Sequence, residues 1–359
     1  MKIGRLSLWA VVMLATWIAS PAGEKRKIVI DQDAAGPAGT DLQSILLLIQ
    51  SPQTEILGIT VVTGDQWLKA EVAHTLRMLE LIGRIDIPVV PGAEYPLIRR
   101  KAETEFWEQR YGRVAWLGAW TPGFYHPPDQ LGEMPEGIPS SKPLNDDAGH
   151  FLLRTVHKFP NQVTIYAGGP MTNLALATSL DPEFPRLVKE LVFMGGSLNP
   201  ATDDPEFVDT PQREFNLWFD PEAAHIVLRA PWRKIVCTPV DISVKTRLTT
   251  ELINQIKLGD SPAARYVGRY ARLHGQYNYL WDELAAAAWL NPSLITKTET
   301  RFMDVDLDRG AHYGNTLTWA DRDRSKLDLP PVEVQVDLNS KGFYSMFVEL
   351  LTMPTPKSH

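Results

Sequence analysis

Short apolar runs alternate with helical patterns along most of this chain, and that alternation restricts the fold more than any other feature of the sequence. Ile28 to Ile30 reads as a strand and Leu42 to Ile49 as the helix after it. Glu55 to Val62 is a second strand, ending in Thr63-Gly64-Asp65, and Ala70 to Ile82 is a helical pattern that stops at Gly83. Ile87 to Val90 is a third short strand. Gln162 to Ala167 runs into Gly168-Gly169-Pro170 and then a helix, Met171 to Leu180. Leu191 to Met194 closes on Gly195-Gly196, and a helix over Pro221 to Leu228 precedes a strand over Lys234 to Val240. Repeated strand–helix units of this kind imply parallel pairing with helices on both faces. The expected fold is α/β, a single open, mostly parallel sheet covered by helices. From about Arg301 the chain adds a few strands, among them Phe302 to Leu307 and Val332 to Val336. No separate catalytic domain is visible there, and no fixed-period repeat marks a solenoid.

Two stretches break the alternation. Residues 98–146 are long, aromatic and rich in Pro and Gly, with Trp107, Tyr111, Trp116, Trp120, Phe124 and Tyr125. Segments like this inside a domain are lids, binding loops or disorder, and the aromatics argue against disorder. A lid or a small helical insertion is expected. Residues 197–213 are polar and carry Asp203-Asp204-Pro205.

The first strand ends in chemistry. Asp31 and Asp33 follow it at i and i+2, a Gly/Pro turn comes next, and Asp41 stands at the start of the helical pattern. Alternate residues share a strand face, so the first two carboxylates point the same way. Open α/β sheets bind ligands at the carboxyl ends of their strands. Clustered carboxylates repel unless a cation or a shared proton sits among them. The stretch therefore suggests a hard-metal site for calcium or magnesium. The competing reading is a solvated, Asp-rich helix cap.

With 359 residues, 44% hydrophobic and 22% charged, the chain has material for a sizeable core. Its net charge of −7 and the lack of a basic block beyond Arg99-Arg100-Lys101 argue against a nucleic-acid partner. The N-terminus reads as an export signal over residues 1–22. Lys2 and Arg5 precede an apolar run from Leu6 to Ile18, and Ser20-Pro21-Ala22 supplies small residues for cleavage. A membrane span takes about 20 residues, so stable insertion is not expected, although an uncleaved anchor is the alternative. The expected location is periplasmic or extracellular, with residues 23–359 as one domain. The lone Cys237 lies in a strand pattern and reads as a core residue.

The motifs in order resemble the nucleoside hydrolase family. They are Asp31-x-Asp33 with Asp41, Gly64-Asp65, the Gly168 to Asn173 turn and Phe193-Met-Gly-Gly196. Glu214-Phe-Asn216 with Asp220-Pro-Glu-Ala-Ala224 follows, then Trp281-Asp282. The resemblance covers about residues 26–340. It implies calcium-dependent hydrolysis of the N-glycosidic bond of ribonucleosides, and a nucleoside as the small-molecule partner. It implies Asp33 as general base and calcium ligand, Asp41 and Asp282 as carboxylate ligands, and the Gly168 carbonyl as a further ligand. Glu214, Asn216 and Asp65 fall at ribose contacts. Family members are commonly dimers or tetramers, so a homo-oligomer stays open, without an interface signature.

Two departures from the family stand out. Its first motif closes on two adjacent Asp residues after a shorter spacer. Here seven residues separate Asp33 from Asp41, and Thr40 takes the place of the doublet's first, ribose-contacting Asp. A hydroxyl can still bond the sugar but brings no charge. Many members place His before the last calcium-binding Asp; this chain has Trp281. Trp281 and Asp65 resemble the purine-preferring branch, in which the base is stacked between aromatic rings. Trp281 is thus expected to stack on the base, core packing being the alternative. One of Trp107, Trp116 and Trp120 is expected on the opposite face. Two other functions remain open from sequence: an exported, non-catalytic nucleoside or sugar binder, and a hydrolase of a modified, non-ribose nucleoside.

Overall fold

Successive residues of each central strand feed two different cores. The computed structural model, which describes residues 25–320 and 328–357, sets Ile28 and Ile30 against one face of the sheet and Val29 against the other. Tyr166, Val192 and Val236 lie on the first face, and Ile165, Leu191, Phe193 and Cys237 on the second. Side chains alternate across a strand, so a strand buried on both faces must be apolar throughout. The signal-peptide reading, residues 1–22, lies outside the described residues.

The strands are β1 (Arg26–Gln32), β2 (Thr54–Val61), β3 (Val89–Pro91), β4 (Val163–Ala167) and β5 (Glu190–Met194). They continue with β6 (Ile235–Thr238), β7 (Ile295–Val305), β8 (Thr316–Trp319) and β9 (Pro331–Leu338). One nine-stranded sheet results, in the order β3-β2-β1-β4-β5-β6-β9-β7-β8. Neighbours are parallel from β3 across to β9, and β7 is antiparallel to both β9 and β8. The expected open, mostly parallel sheet is what forms. β7 begins earlier than its apolar pattern because its first half is largely exposed and polar. β6 ends at Thr238, before Pro239, which cannot donate to the ladder, and Val240 opens a one-turn helix.

Helices Thr40–Gln50, Leu68–Ile82, Trp281–Leu290 and Ser340–Thr352 cover the first face. Helices Ala148–Lys158, Thr172–Leu180 and Pro221–Arg229 cover the second. The chain steps outward from β1 to β3, then returns to lay β4 on the other side of β1. The winding direction therefore reverses between β1 and β4, which opens a crevice at their carboxyl ends. Those ends deliver Asp33 and Gly168.

Residues 98–146 hold a helix, Lys101–Tyr111, a single turn, Gly118–Trp120, and otherwise irregular chain. Val114, Leu117, Ala119 and Trp120 form a satellite core with Trp67, Trp218 and Phe219. The buried Arg99 guanidinium, 4.3 Å from the Trp218 and Tyr313 ring centres, fastens the start of this segment. A buried pairing of Glu136 with His74 fastens its far part to helix Leu68–Ile82. Cys237 is buried, its thiol donates to Gly195 O, and burial raises its pKa, which fits a core residue. No helix among the described residues is long and apolar enough to cross a membrane.

Candidate active site

Asp33 sits just past β1 in a seat made by two glycines. A Cβ at Gly64 or Gly169 would collide with its carboxylate, so both positions need the side chain to be absent. Oδ2 of Asp33 accepts the Asp65 N–H at 3.0 Å. Asp31 has a different task. It is fully buried, and its Oδ1 accepts the Thr60 hydroxyl at 2.5 Å and the Asn173 amide at 2.8 Å. Burial pushes its pKa up to about 6. Of the two carboxylates read together from sequence, Asp33 lines the site, while Asp31 ties β1 to β2 and to helix Thr172–Leu180.

A cleft of about 210 Å³ lies at this crevice, and Asp33, Asp41, Asp282 and Gly168 line it. So do Thr40, Asp65, Glu214 and Asn216, together with the Trp281 ring. These nine residues, which the resemblance assigned to the site, thus reach one cavity. Burial first, and then the charges of Asp65, Glu71 and Asp282, holds the Asp33 carboxyl well above the usual carboxylate range. Burial, with Asp33, Asp65 and Asp282 nearby, does the same to Asp41. Burial pushes Asp282 up to about 8.

The three carboxylates do not stand as a preformed trio of ligands. Among the described residues no group of three His, Cys, Asp or Glu side chains stands in metal-holding geometry. Asp33 and Asp41 each turn an oxygen to a backbone N–H, of Asp65 and Ala35 respectively, both at 3.0 Å. Mutual repulsion also opposes closer approach of the three groups. The Gly168 carbonyl accepts the Asn216 amide at 2.8 Å, which leaves one of its lone pairs. The donor set nonetheless suits a hard cation. Its side-chain and carbonyl donors are all oxygen, and Asp282 Oδ1 is buried without a hydrogen-bond partner.

Thr40 opens helix Thr40–Gln50, which packs on helix Trp281–Leu290. Its hydroxyl donates to Glu283 Oε2 at 2.5 Å and lies 3.5 Å from Asp282 Oδ2. Glu283 is fully buried, and burial raises its pKa. An acid therefore stands directly behind the hydroxyl that replaces one. Sequence reading missed Glu283 because Asp282-Glu283 looks like an ordinary acidic first turn.

Glu214 caps the short helix Phe215–Phe219. Its Oε1 accepts the Asn216 N–H at 2.7 Å, and Oε2 accepts Gly196 and Leu217 N–H groups at 2.8 and 3.1 Å. Asn216 gives its amide to Gly168 O and Met194 O. Asp65 Oδ1 accepts the Trp116 indole N–H at 2.5 Å, and burial lifts the Asp65 carboxyl to about 6.

Aromatic rings form the rim. Trp281 is half-buried and meets Phe207 and Tyr279 edge-on, with ring centres 5.8 and 4.7 Å away. Of the three tryptophans considered for the opposite face, only Trp116 lines the cleft. Trp107 lies beneath the Arg213 guanidinium and donates to Gly310 O. Trp120 is buried against Phe219.

A family model for inosine-uridine preferring nucleoside hydrolases matches residues 28–345. The chain belongs to this family. It is 27% identical over 348 residues to the protein named probable uridine nucleosidase 2 of Arabidopsis thaliana, spanning 92% of this chain and 98% of that one. It is 29% identical over 325 residues to the pyrimidine-specific ribonucleoside hydrolase RihA of Citrobacter koseri, spanning 88% and 95%. A solved plant nucleoside hydrolase, PpNRh1, superimposes with a TM-score of 0.73 at 25% identity, over 92% of this chain and 99% of that one. The purine-preferring ribonucleoside hydrolase from Gardnerella vaginalis shares the fold, with a TM-score of 0.70 at 22% identity over 91% and 98%. The protein is a nucleoside hydrolase, an enzyme that cleaves the N-glycosidic bond of ribonucleosides, and the non-catalytic binder reading is set aside.

A second carboxyl of this nucleoside hydrolase, besides Glu283, was missed from sequence. Asp204 caps the short helix Pro205–Asp209, accepting the Glu206 N–H at 3.1 Å, and Glu206 lines the cleft. The segment 197–213 read only as polar. Asp204-Pro205 is a helix-start signal, but nothing local says that the next side chain faces the site.

Proposed function

We propose that this nucleoside hydrolase works with a calcium ion held by Asp33, Asp41, Asp282 and the Gly168 carbonyl, and that it prefers purine ribonucleosides. The observation that carries the reading is the meeting of three buried carboxylates in one cleft with an unpartnered Asp282 oxygen. When bound, calcium supplies a positive centre that orients the attacking water and the sugar hydroxyls and modestly lowers the water's pKa. Asp33 takes the water's proton as general base. Thr40, Asp65, Glu214 and Asn216 hold the sugar. Glu214 also sets negative charge near the oxocarbenium-like centre that develops at the anomeric carbon.

Trp281 offers one ring face to the base and Trp116 the other. A purine presents the larger π-surface, and stacking on indole favours the protonated, departing base. Relatives named for uridine or pyrimidine supply the competing preference. We also propose export, on the strength of the Lys2 and Arg5 end followed by the apolar run Leu6 to Ile18, and N-terminal sequencing of the exported protein tests it.

The deciding experiment incubates purified enzyme with inosine, guanosine, adenosine and uridine, with calcium or with chelator. Base release that chelator abolishes and calcium restores is expected, with the higher kcat/KM for the purines. Chelator-resistant turnover overturns the calcium assignment. A kcat/KM for uridine equal to or above that for inosine overturns the purine preference. Turnover of 2′-deoxyinosine above inosine would instead support the modified-sugar reading.

A further inference from the structure

Six carboxyl groups line the cleft: Asp33, Asp41, Asp65, Glu206, Glu214 and Asp282. Five of them have a task. Asp33, Asp41 and Asp282 meet at its floor, as described above. Asp65 is engaged by the Trp116 indole. Both oxygens of Glu214 are committed to backbone N–H groups. Glu206 differs, because its side-chain oxygens enter no hydrogen bond or ion pair among the described residues. Its neighbour in sequence, Phe207, packs edge-on against Trp281, the ring assigned to the base. The short helix Pro205–Asp209 thus brings an uncommitted carboxyl into the cleft that Trp281 also lines.

We infer that Glu206 is the acid that protonates the departing base. The inference rests on the family's hydrolytic activity and on the placement of the base beside Trp281. Trp281 cannot itself serve, because indole has no proton to transfer near neutral pH. As the bond from the anomeric carbon to the base nitrogen breaks, its electron pair goes to the base. The Glu206 carboxyl proton passes to a ring nitrogen of the base and leaves a carboxylate. The water oxygen bonds to the anomeric carbon, and Asp33 receives the water's proton. Exchange with solvent returns a proton to Glu206 and removes one from Asp33. One water is consumed, and neutral base and free sugar leave.

The electrostatics agree with this role. Burial, then the neighbouring negative charges of Asp204 and Glu214, pushes Glu206 up to about 7. Asp65 acts in the same sense, and the Arg213 guanidinium opposes it. A general acid is best placed when its pKa lies near the working pH. It acts only when protonated, so activity must fall as pH rises through about 7.

The test compares Glu206→Gln with the unmutated enzyme on two substrates, inosine and p-nitrophenyl ribofuranoside, each with calcium. The p-nitrophenolate group leaves without protonation. General acids contribute roughly 10²–10⁴-fold, so the variant should lose about 100-fold or more in kcat on inosine. Its loss on p-nitrophenyl ribofuranoside should be at least about tenfold smaller, and the alkaline limb of the inosine pH profile should vanish. Equal losses on both substrates overturn the inference and make Glu206 a sugar contact. An inosine kcat within about threefold of the unmutated enzyme overturns it as well, since a working acid contributes far more. Unmutated enzyme that cleaves neither substrate would sink the proposed function itself, a separate outcome read before any variant is made.

Discussion

The floor of the cleft and its rim are built by different means. Floor residues Asp33, Gly168 and Asp282 come from the ends of β1 and β4 and the start of helix Trp281–Leu290, and all sit against the buried sheet. Of the rim residues, Trp116, Glu206 and Phe207 come from the two irregular stretches, and Trp281 precedes Asp282 at the start of its helix. Catalytic groups on rigid elements hold their geometry, whereas loops tolerate change. Under the proposed function the floor carries out the hydrolysis and the rim receives the base. Variants of the two regions should therefore fail in different ways.

The largest effect belongs to the floor. Asp33→Asn keeps the shape of the side chain but cannot accept the water's proton, and kcat should fall by roughly 10²–10⁴-fold or more. Circular dichroism should remain that of the unmutated enzyme. Activity within about tenfold would remove Asp33 from the chemistry, given what a general base contributes. Calcium binding should also separate the regions. Saturating the site at a hundred times the dissociation constant adds about 2.7 kcal/mol of stability. Thermal melts should show that gain for the unmutated enzyme and for Trp281→Ala, and a much smaller one for Asp282→Asn. A rim variant that also loses it would break the division.

Next in size is Trp281→Ala, which should lower kcat/KM for inosine by about 1–3 kcal/mol, the worth of one lost stacking face. Preserved kcat/KM would return Trp281 to a packing role. The smallest effect is expected for Trp107→Phe. This ring lies outside the cleft, so kcat/KM should change by less than about twofold, in line with substitutions away from a site. A change as large as that of Trp281→Ala would extend the rim to Trp107.

The same division separates what was legible from what was not. Asp33, Gly168 and Asp282 could be picked out because the family resemblance names them and each follows a strand or opens a helix whose pattern shows in the sequence. The open, mostly parallel sheet could be read because apolar runs such as Leu191–Met194 announce burial on both faces. Trp116 could not be chosen over Trp107 and Trp120. The path of that segment is decided by distant contacts, among them Arg99 with Tyr313 and His74 with Glu136. Asp31 was grouped with Asp33 because strand alternation gives a face but not a depth. The lengthened first motif is accommodated by contacts invisible in sequence: the Tyr266 hydroxyl accepts the Ala38 N–H at 3.1 Å, and the Gln43 side chain donates to Ala38 O at 2.9 Å.

The Thr40–Glu283 hydrogen bond joins positions 243 residues apart in the chain. On the ribosome, the Asp33 end of the cleft emerges early, and the helix that completes it emerges only near residue 290. At about 5–20 residues per second, roughly 15 to 60 s of synthesis pass before those walls can meet. A nascent chain shortened before residue 281 would thus carry Asp33 and Asp41 with neither the Asp282 carboxylate nor the Trp281 ring. Turnover in a translation reaction would report finished molecules, lagging behind signals that follow the first strands alone.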